Sequence, residues 1–108
     1  PWYVMAKKAE VTLTKCLSVK KDLVRSGITF NTVSPGAIMI PNTGWDFRKK
    51  EDPKKFAKLI KKKFPIGRLG KPQEVASLVG FLCTKEASFI NGSDITIDGG
   101  QSNEAYED

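Results

Sequence analysis

Residues 28–36 read ITFNTVSPG, a β-branched and aromatic run from Ile28 to Val33 that ends in Ser34-Pro35-Gly36. Branched side chains favour an extended backbone and Pro-Gly breaks it, so the run predicts a short strand followed by a sharp turn. Upstream, Trp2 to Arg25 reads as one helix. Val4, Val11, Leu13, Leu17 and Leu23 supply its apolar positions, no proline interrupts it, and Ser26-Gly27 offers a left-handed stop. Downstream, Asp52-Pro53 sets a capping residue before a proline at the first helical position, opening a helix whose apolar stripe is Phe56, Leu59 and Ile60. A further helix starts at Pro72, where Val75, Leu78, Val79 and Leu82 fall at i, i+3, i+4 and i+7. Asp94 to Ile97, DITI, predicts a second strand, stopped by Asp98-Gly99-Gly100.

Two short strands separated by a helix are expected to be parallel neighbours in an α/β sheet. Such a sheet is covered by helices on both faces and extended by further strands, and two strands alone leave unpaired edges on each side. The chain also begins without a methionine. The expectation is therefore the C-terminal part of a larger, three-layer, doubly wound parallel sheet, with residues 1–108 forming part of a single domain.

With 108 residues, 40% of them hydrophobic, there is room for one small core and not for two. No apolar run approaches the roughly 18 to 20 residues of a membrane span, and the first residues lack the layout of a signal peptide, which predicts a cytoplasmic protein. Cys16 and Cys83 each fall on the apolar side of an expected helix and are predicted to be buried thiols. With no histidine and no Cys-x-x-Cys, no metal site is expected. The formal charge of +6 is local: residues 48–63 carry nine Lys or Arg against Glu51 and Asp52, leaving the rest of the chain near neutrality.

A set of short motifs runs through almost the whole chain: Tyr3-x-x-x-Lys7 on the first helix, Gly27-Ile28 leading into Asn31-Thr32-Val33-Ser34-Pro35-Gly36, then Pro65-Ile66-Gly67-Arg68-Leu69-Gly70-Lys71-Pro72-Gln73-Glu74-Val75-Ala76, and Ile90-Asn91-Gly92 before Ile97-Asp98-Gly99-Gly100. In this order and spacing the chain resembles the C-terminal two-fifths of a short-chain dehydrogenase/reductase, with 3-oxoacyl-carrier-protein reductases and glucose dehydrogenases among the similar members. The resemblance implies a Rossmann-type fold, NAD or NADP as cofactor, and interconversion of a secondary alcohol and a ketone. It implies Tyr3 as the proton donor and acceptor and Lys7 as its partner, the lysine also holding the nicotinamide ribose. A phenol alone exchanges protons poorly at neutral pH, and an ammonium one helical turn away favours the phenolate by Coulomb attraction. Pro35 and Gly36 would run beside the nicotinamide, with Gly36 small to admit it, and Ile38 would offer main-chain groups to the carboxamide. The family's glycine-rich motif, its NAD/NADP-selecting residue and its catalytic serine would lie upstream of Pro1.

Two positions depart from the family pattern. Relatives often carry a threonine near Ile40, for which Thr43 is a candidate substitute, and Lys8 replaces a commonly small residue and is expected to point to solvent. Residues 37–64 occupy the place of the substrate-binding lobe, with Met39, Trp45 and Phe47 as candidate lining. Lys54, Lys55, Lys58, Lys61 and Lys62 would cover the outer helix face, either as a plain solvated surface or as a landing patch for an anionic substrate or acidic carrier. Two other classes compete with this reading. A basic module binding nucleic acid or an anionic surface explains the charge and leaves SPG, GRLGKPQEV and IDGG without a role, and the helix lacks aromatic interleaving for base stacking. A catalytically inactive homologue acting as a scaffold conflicts with the presence of both Tyr3 and Lys7. The resemblance also implies a homodimer or homotetramer, and neither composition nor motif points to a membrane.

Overall fold

The computed structural model describes residues 1–107. They divide into two units, Pro1–Ser34 with Leu78–Ile95, and Pro35–Ser77 with the described residues from Thr96 onward. In the first unit, helix α1 spans Trp2–Ser18 and α2 spans Lys21–Val24. The single helix expected to reach Arg25 is thus broken at Val19-Lys20, with neither proline nor glycine at the break. Lys20 is extended, at φ −74° and ψ 99°. The cause is tertiary. Ser18 Oγ donates back to the Lys15 carbonyl at 2.7 Å, and the Ser18 carbonyl accepts from Asn91 Nδ2 at 2.8 Å. Lys15 Nζ in turn donates to the Gly92 carbonyl at 2.9 Å. Side chains satisfy the end of the helix, so the backbone need not continue it.

Strands β1 (Thr32–Pro35) and β2 (Asp94–Ile97) form a two-stranded parallel sheet. The Thr32 N–H reaches the Ser93 carbonyl at 2.8 Å and the Gly36 N–H reaches the Ile97 carbonyl at 3.0 Å, at one constant register. Because these donors alternate, Pro35 falls on the side facing away from β2 and its missing N–H costs this ladder nothing. β1 begins later than the apolar run from Ile28 suggested. The preceding residues are held by side-chain amides instead of a ladder: Asn91 Oδ1 accepts from the Phe30 N–H at 3.0 Å, while Asn31 donates to the Ile90 carbonyl at 2.9 Å and accepts from the Ser93 N–H at 3.1 Å. The Gly92 N–H completes the clasp on the Phe30 carbonyl at 2.7 Å, with Gly92 at φ +78°.

The expectation of buried thiols is overturned: Cys16 and Cys83 are both exposed. Helix α1 and helix α5 (Pro72–Leu82) contain no buried residue, and Val4, Leu13 and Val79 on their apolar faces are exposed as well. Val11 and Leu17 on α1 and Val75, Leu78 and Leu82 on α5 are half-buried, whereas Cys16 lies outside that covered stripe and Cys83 falls just past the end of α5.

The second unit contains α3 (Gly44–Glu51) and α4 (Pro53–Lys63), which pack on each other. Helix α4 starts as read from the sequence, with the Asp52 carboxylate accepting from the Lys55 N–H at 3.1 Å and Pro53 at the first turn. Such a cap stabilises by about 1 kcal/mol. Helix α3 was not expected, because GWDFRKKE carries no continuous apolar stripe. Thr43 stands at its N-cap without a side-chain cap bond, and the Asp46 carboxylate in the first turn reaches back beyond it to Asn42. Asp46 accepts from the Asn42 N–H at 2.8 Å and pairs with Lys50 at 2.9 Å, and the first of these bonds, then the second, hold its carboxyl below the usual range. The core is Ile60, Phe64 and Leu69, with Ala37, Met39, Trp45 and Phe56 packed on it and the Trp45 ring edge-on to Phe64 at 5.8 Å. Burial of each large member contributes about 1.5 to 3 kcal/mol. Short 3₁₀ turns at Lys85–Ala87 and Gln101–Tyr106 close the list of elements.

The clasp generates a prediction. Asn91→Ala leaves the Phe30 N–H and the Ser18 carbonyl without their partners, and should destabilise the intact protein by about 2 kcal/mol in urea unfolding. Asn91→Asp, which keeps the acceptor and loses the donor, should fall between; equal stability of all three would contradict the clasp.

Candidate functional site

Tyr3 and Lys7 lie on one face of α1, as the i, i+4 spacing requires. The Lys7 ammonium sits 5.7 Å from the centroid of the Tyr3 ring and 3.4 Å from Glu10 Oε2. It is therefore over the aromatic face, attracted by the ring as well as by the carboxylate. Tyr3 is 74% exposed and the Lys7 side chain 54%. At that exposure water screens the cation, so the Coulomb term acts at full strength only when the pair is covered. Lys8 is exposed, as expected.

In the second unit, Pro35 is exposed and Gly36, Ile38 and Met39 are half-buried. Gly36 is small for a reason internal to the chain. A β-carbon there would lie 2.5 Å from Asp98 Cβ and 2.8 Å from Gln101 Oε1. This crossing requires a glycine at position 36 whether or not a ligand lies beside the turn. Around it, the Gln101 side chain accepts from the Ala37 N–H at 3.1 Å, and Asp98 accepts from the N–H groups of Gly100 and Ser102 at 2.9 and 2.8 Å. Hydrogen bonds from Ser102 are the main cause that holds the Asp98 carboxyl below its ordinary range, and the Gly100 N–H adds to them. Gly99 and Gly100 have φ of +61° and +89°, which lets the chain turn under Asp98. The role of Asp98 was not read from the sequence, although IDGG marked its place.

Ile38 pairs with Gly70 in an isolated parallel bridge. The bonds belong to its neighbours: the Gly70 N–H donates to the Ala37 carbonyl at 3.0 Å, and the Met39 N–H donates to the Gly70 carbonyl at 2.9 Å. The N–H and carbonyl of Ile38 itself point away from Gly70 and have no hydrogen-bond partner among the described residues. One donor and one acceptor on a single residue match the two polar ends of a carboxamide. The Gly70 side of the bridge is set by Arg68 and Glu74, whose fork closes at 2.7 and 3.0 Å. Glu74 also accepts from the Lys71 N–H at 3.0 Å, which caps α5 behind Pro72. Arg68 first, then the Lys71 N–H, lower the Glu74 carboxyl to about 2.

The candidate lining of the lobe separates. Trp45 is committed to the core against Phe64, with the Arg48 guanidinium 5.2 Å from its ring. Met39 packs on the same core and lines an apolar groove, whereas Phe47 is 57% exposed. The Thr43 hydroxyl donates to the Ile40 carbonyl at 2.7 Å, so its proton is already committed and it is a poor stand-in for a cofactor-contacting threonine. Among the described residues no cluster of possible metal ligands is present, and no helix is long and apolar enough to cross a membrane.

Residues 1–102 match the family model described as Enoyl-(Acyl carrier protein) reductase. A Bacillus subtilis (strain 168) protein named "Probable 2,4-dienoyl-CoA reductase" is 42% identical over 96 residues, which are 89% of this chain and 36% of that one. The solved structure of an oxidoreductase (short chain dehydrogenase/reductase family) from Burkholderia thailandensis matches with TM-score 0.78 at 31% identity, covering 94% of this chain and 37% of the other. 4-Hydroxyisoleucine dehydrogenase complexed with NADH matches with TM-score 0.75 at 32% identity, covering 94% and 39%. The chain thus spans little more than a third of the length of the proteins it resembles.

The Glu74 fork sets a pH expectation. A carboxyl lowered from its ordinary value to about 2 adds stability that is complete above about pH 4.5 and is lost as pH falls toward about 2. Carboxyl-carbon NMR of the intact protein should place the Glu74 midpoint near 2, and Arg68→Met should return it toward 4.5. A wild-type midpoint near 4.5 would mean that the fork does not persist in solution.

Proposed function

The chain belongs to the short-chain dehydrogenase/reductase family, and from that membership we propose that its protein is an NAD- or NADP-dependent oxidoreductase interconverting a secondary alcohol and a ketone. The two parallel strands with α5 between them are part of the family's Rossmann-type α/β sheet, and residues 1–108 are proposed as the C-terminal part of that one domain. The single observation that carries the reading is the Tyr3–Lys7 pair on one helix face, with the ammonium 5.7 Å from the ring centroid.

When bound, the dinucleotide supplies hydride in reduction and takes it up in oxidation. Tyr3 donates its phenolic proton to the carbonyl oxygen in the first direction and accepts the alcohol proton in the second. Lys7 stabilises the phenolate between these events and holds the ribose hydroxyls through its ammonium. Pro35 and Gly36 would present backbone to the nicotinamide, and Ile38 would offer its N–H and carbonyl to the carboxamide. The unspent donor and acceptor of Ile38 support that assignment.

Met39 and Phe47 are proposed to contact the substrate, with Trp45 stiffening the lobe from its core. The reading covers 3-oxoacyl thioesters, sugars and simple alcohols. The lysine-rich α4 and the thioester in the name of the Bacillus subtilis relative favour the first. A cytoplasmic homodimer or homotetramer completes the proposal.

Tyr3→Phe removes the exchangeable proton and little else. In the intact protein supplied with NADH or NADPH and a panel of ketones, it should lower kcat by about 10²-fold or more, with far-UV circular dichroism unchanged. Full turnover in the variant would remove Tyr3 from the proton step.

A further inference from the structure

We propose that a groove in the second unit, floored by Met39, Phe56, Ala57, Ile60 and Leu69 and rimmed by lysines, binds the carboxylate form of a fatty acid. The groove measures about 660 Å³, within the ~300–1,000 Å³ range of small-molecule sites. Its floor follows from the fold. Ile60 and Leu69 belong to the core, Met39 and Phe56 pack on it, and Ala57 on α4 leaves the space that a larger side chain would fill.

Charge chooses the occupant. Lys49, Lys61, Arg68 and Lys71 line the groove, and among the described residues no Asp or Glu does. The Arg68 guanidinium is occupied by Glu74 at 2.7 Å, whereas Lys49, Lys61 and Lys71 take part in no ion pair among the described residues. Lys49, Lys61 and Lys71 are exposed, so their ammonium groups stay hydrated beside any guest and attract an anionic one. A guest with an aliphatic chain and one anionic end covers the floor and pairs with the rim, while the lysine stems add apolar contact along the chain. Nucleic acid fits poorly, since the floor offers one aromatic ring and no stacking series.

The proposal rests on the reading of Met39 as a substrate contact, since Met39 belongs to the floor, and it is tested without any nicotinamide present, so that its failure and the failure of the hydride-transfer reading are distinguishable. Isothermal titration of the intact protein with octanoate, decanoate and laurate should show one saturable site, with affinity rising up to about fourfold per added methylene. Dodecyltrimethylammonium, the same chain with the opposite charge, should bind at least tenfold more weakly than laurate. Ala57→Trp should weaken laurate at least tenfold by filling the groove. The combined Lys49→Glu, Lys61→Glu, Lys71→Glu variant should reverse the preference between the two amphiphiles, and it carries the test should Ala57→Trp fail to fold. Absence of saturable binding, equal binding of the two amphiphiles, or unchanged laurate affinity in a folded Ala57→Trp protein would each overturn the proposal.

Discussion

The first unit depends on two asparagine side chains that act as pieces of backbone. Asn31 reaches the Ile90 carbonyl and the Ser93 N–H, and Asn91 reaches the Phe30 N–H and the Ser18 carbonyl. Parallel strands must find each other across a long stretch of chain, and a slip of one residue would send every side chain to the opposite face. An amide offers a donor and an acceptor at fixed separation, as a peptide unit does. Two of them facing opposite ways specify where the pairing of β1 and β2 begins. The same contact decides the length of α1, because Asn91 takes the carbonyl at the end of that helix.

In the second unit the comparable constraint is the close passage at Gly36. There the backbone approaches Asp98 so nearly that only a hydrogen fits in place of a side chain, and Asp98 is itself fixed by the N–H groups behind it. This crossing and the Arg68–Glu74 fork hold the two sides of the segment carrying Ile38. The segment is irregular and yet pinned at both ends, which is a suitable support for a residue whose own main-chain groups are left free. The lysines of α4 contribute little to this support. They are exposed, and isolated surface charges contribute small amounts to stability.

Much of this was legible in the residues. Asp52-Pro53 and Pro72 marked helix starts because capping is local chemistry, and DITI matched β2 because alternation and a Gly-Gly stop are local as well. The break after Ser18 was not legible, since its cause is an asparagine more than seventy residues away. Helix α3 escaped because its buried contact is a single ring, Trp45, and one ring makes no periodicity. Cys16 and Cys83 were assigned to apolar faces, and it is the exposure of those two positions that pattern alone does not report. At the candidate site, spacing and family likeness point to Tyr3 and Lys7, whereas the close passage of Gly36 at Asp98 joins residues far apart in the chain and is not legible locally.

The central claim is that this helix and these turns serve the transfer of hydride to a carbonyl carbon. It is tested most directly by incubating the intact protein with nicotinamide dinucleotide deuterated at the reactive ring carbon and a ketone substrate, and then locating the label in the product by mass spectrometry and NMR. The account predicts one deuterium on the carbinol carbon and a solvent-exchangeable proton on the oxygen. Product alcohol formed without label at that carbon, or no consumption of either dinucleotide with any ketone, would contradict it.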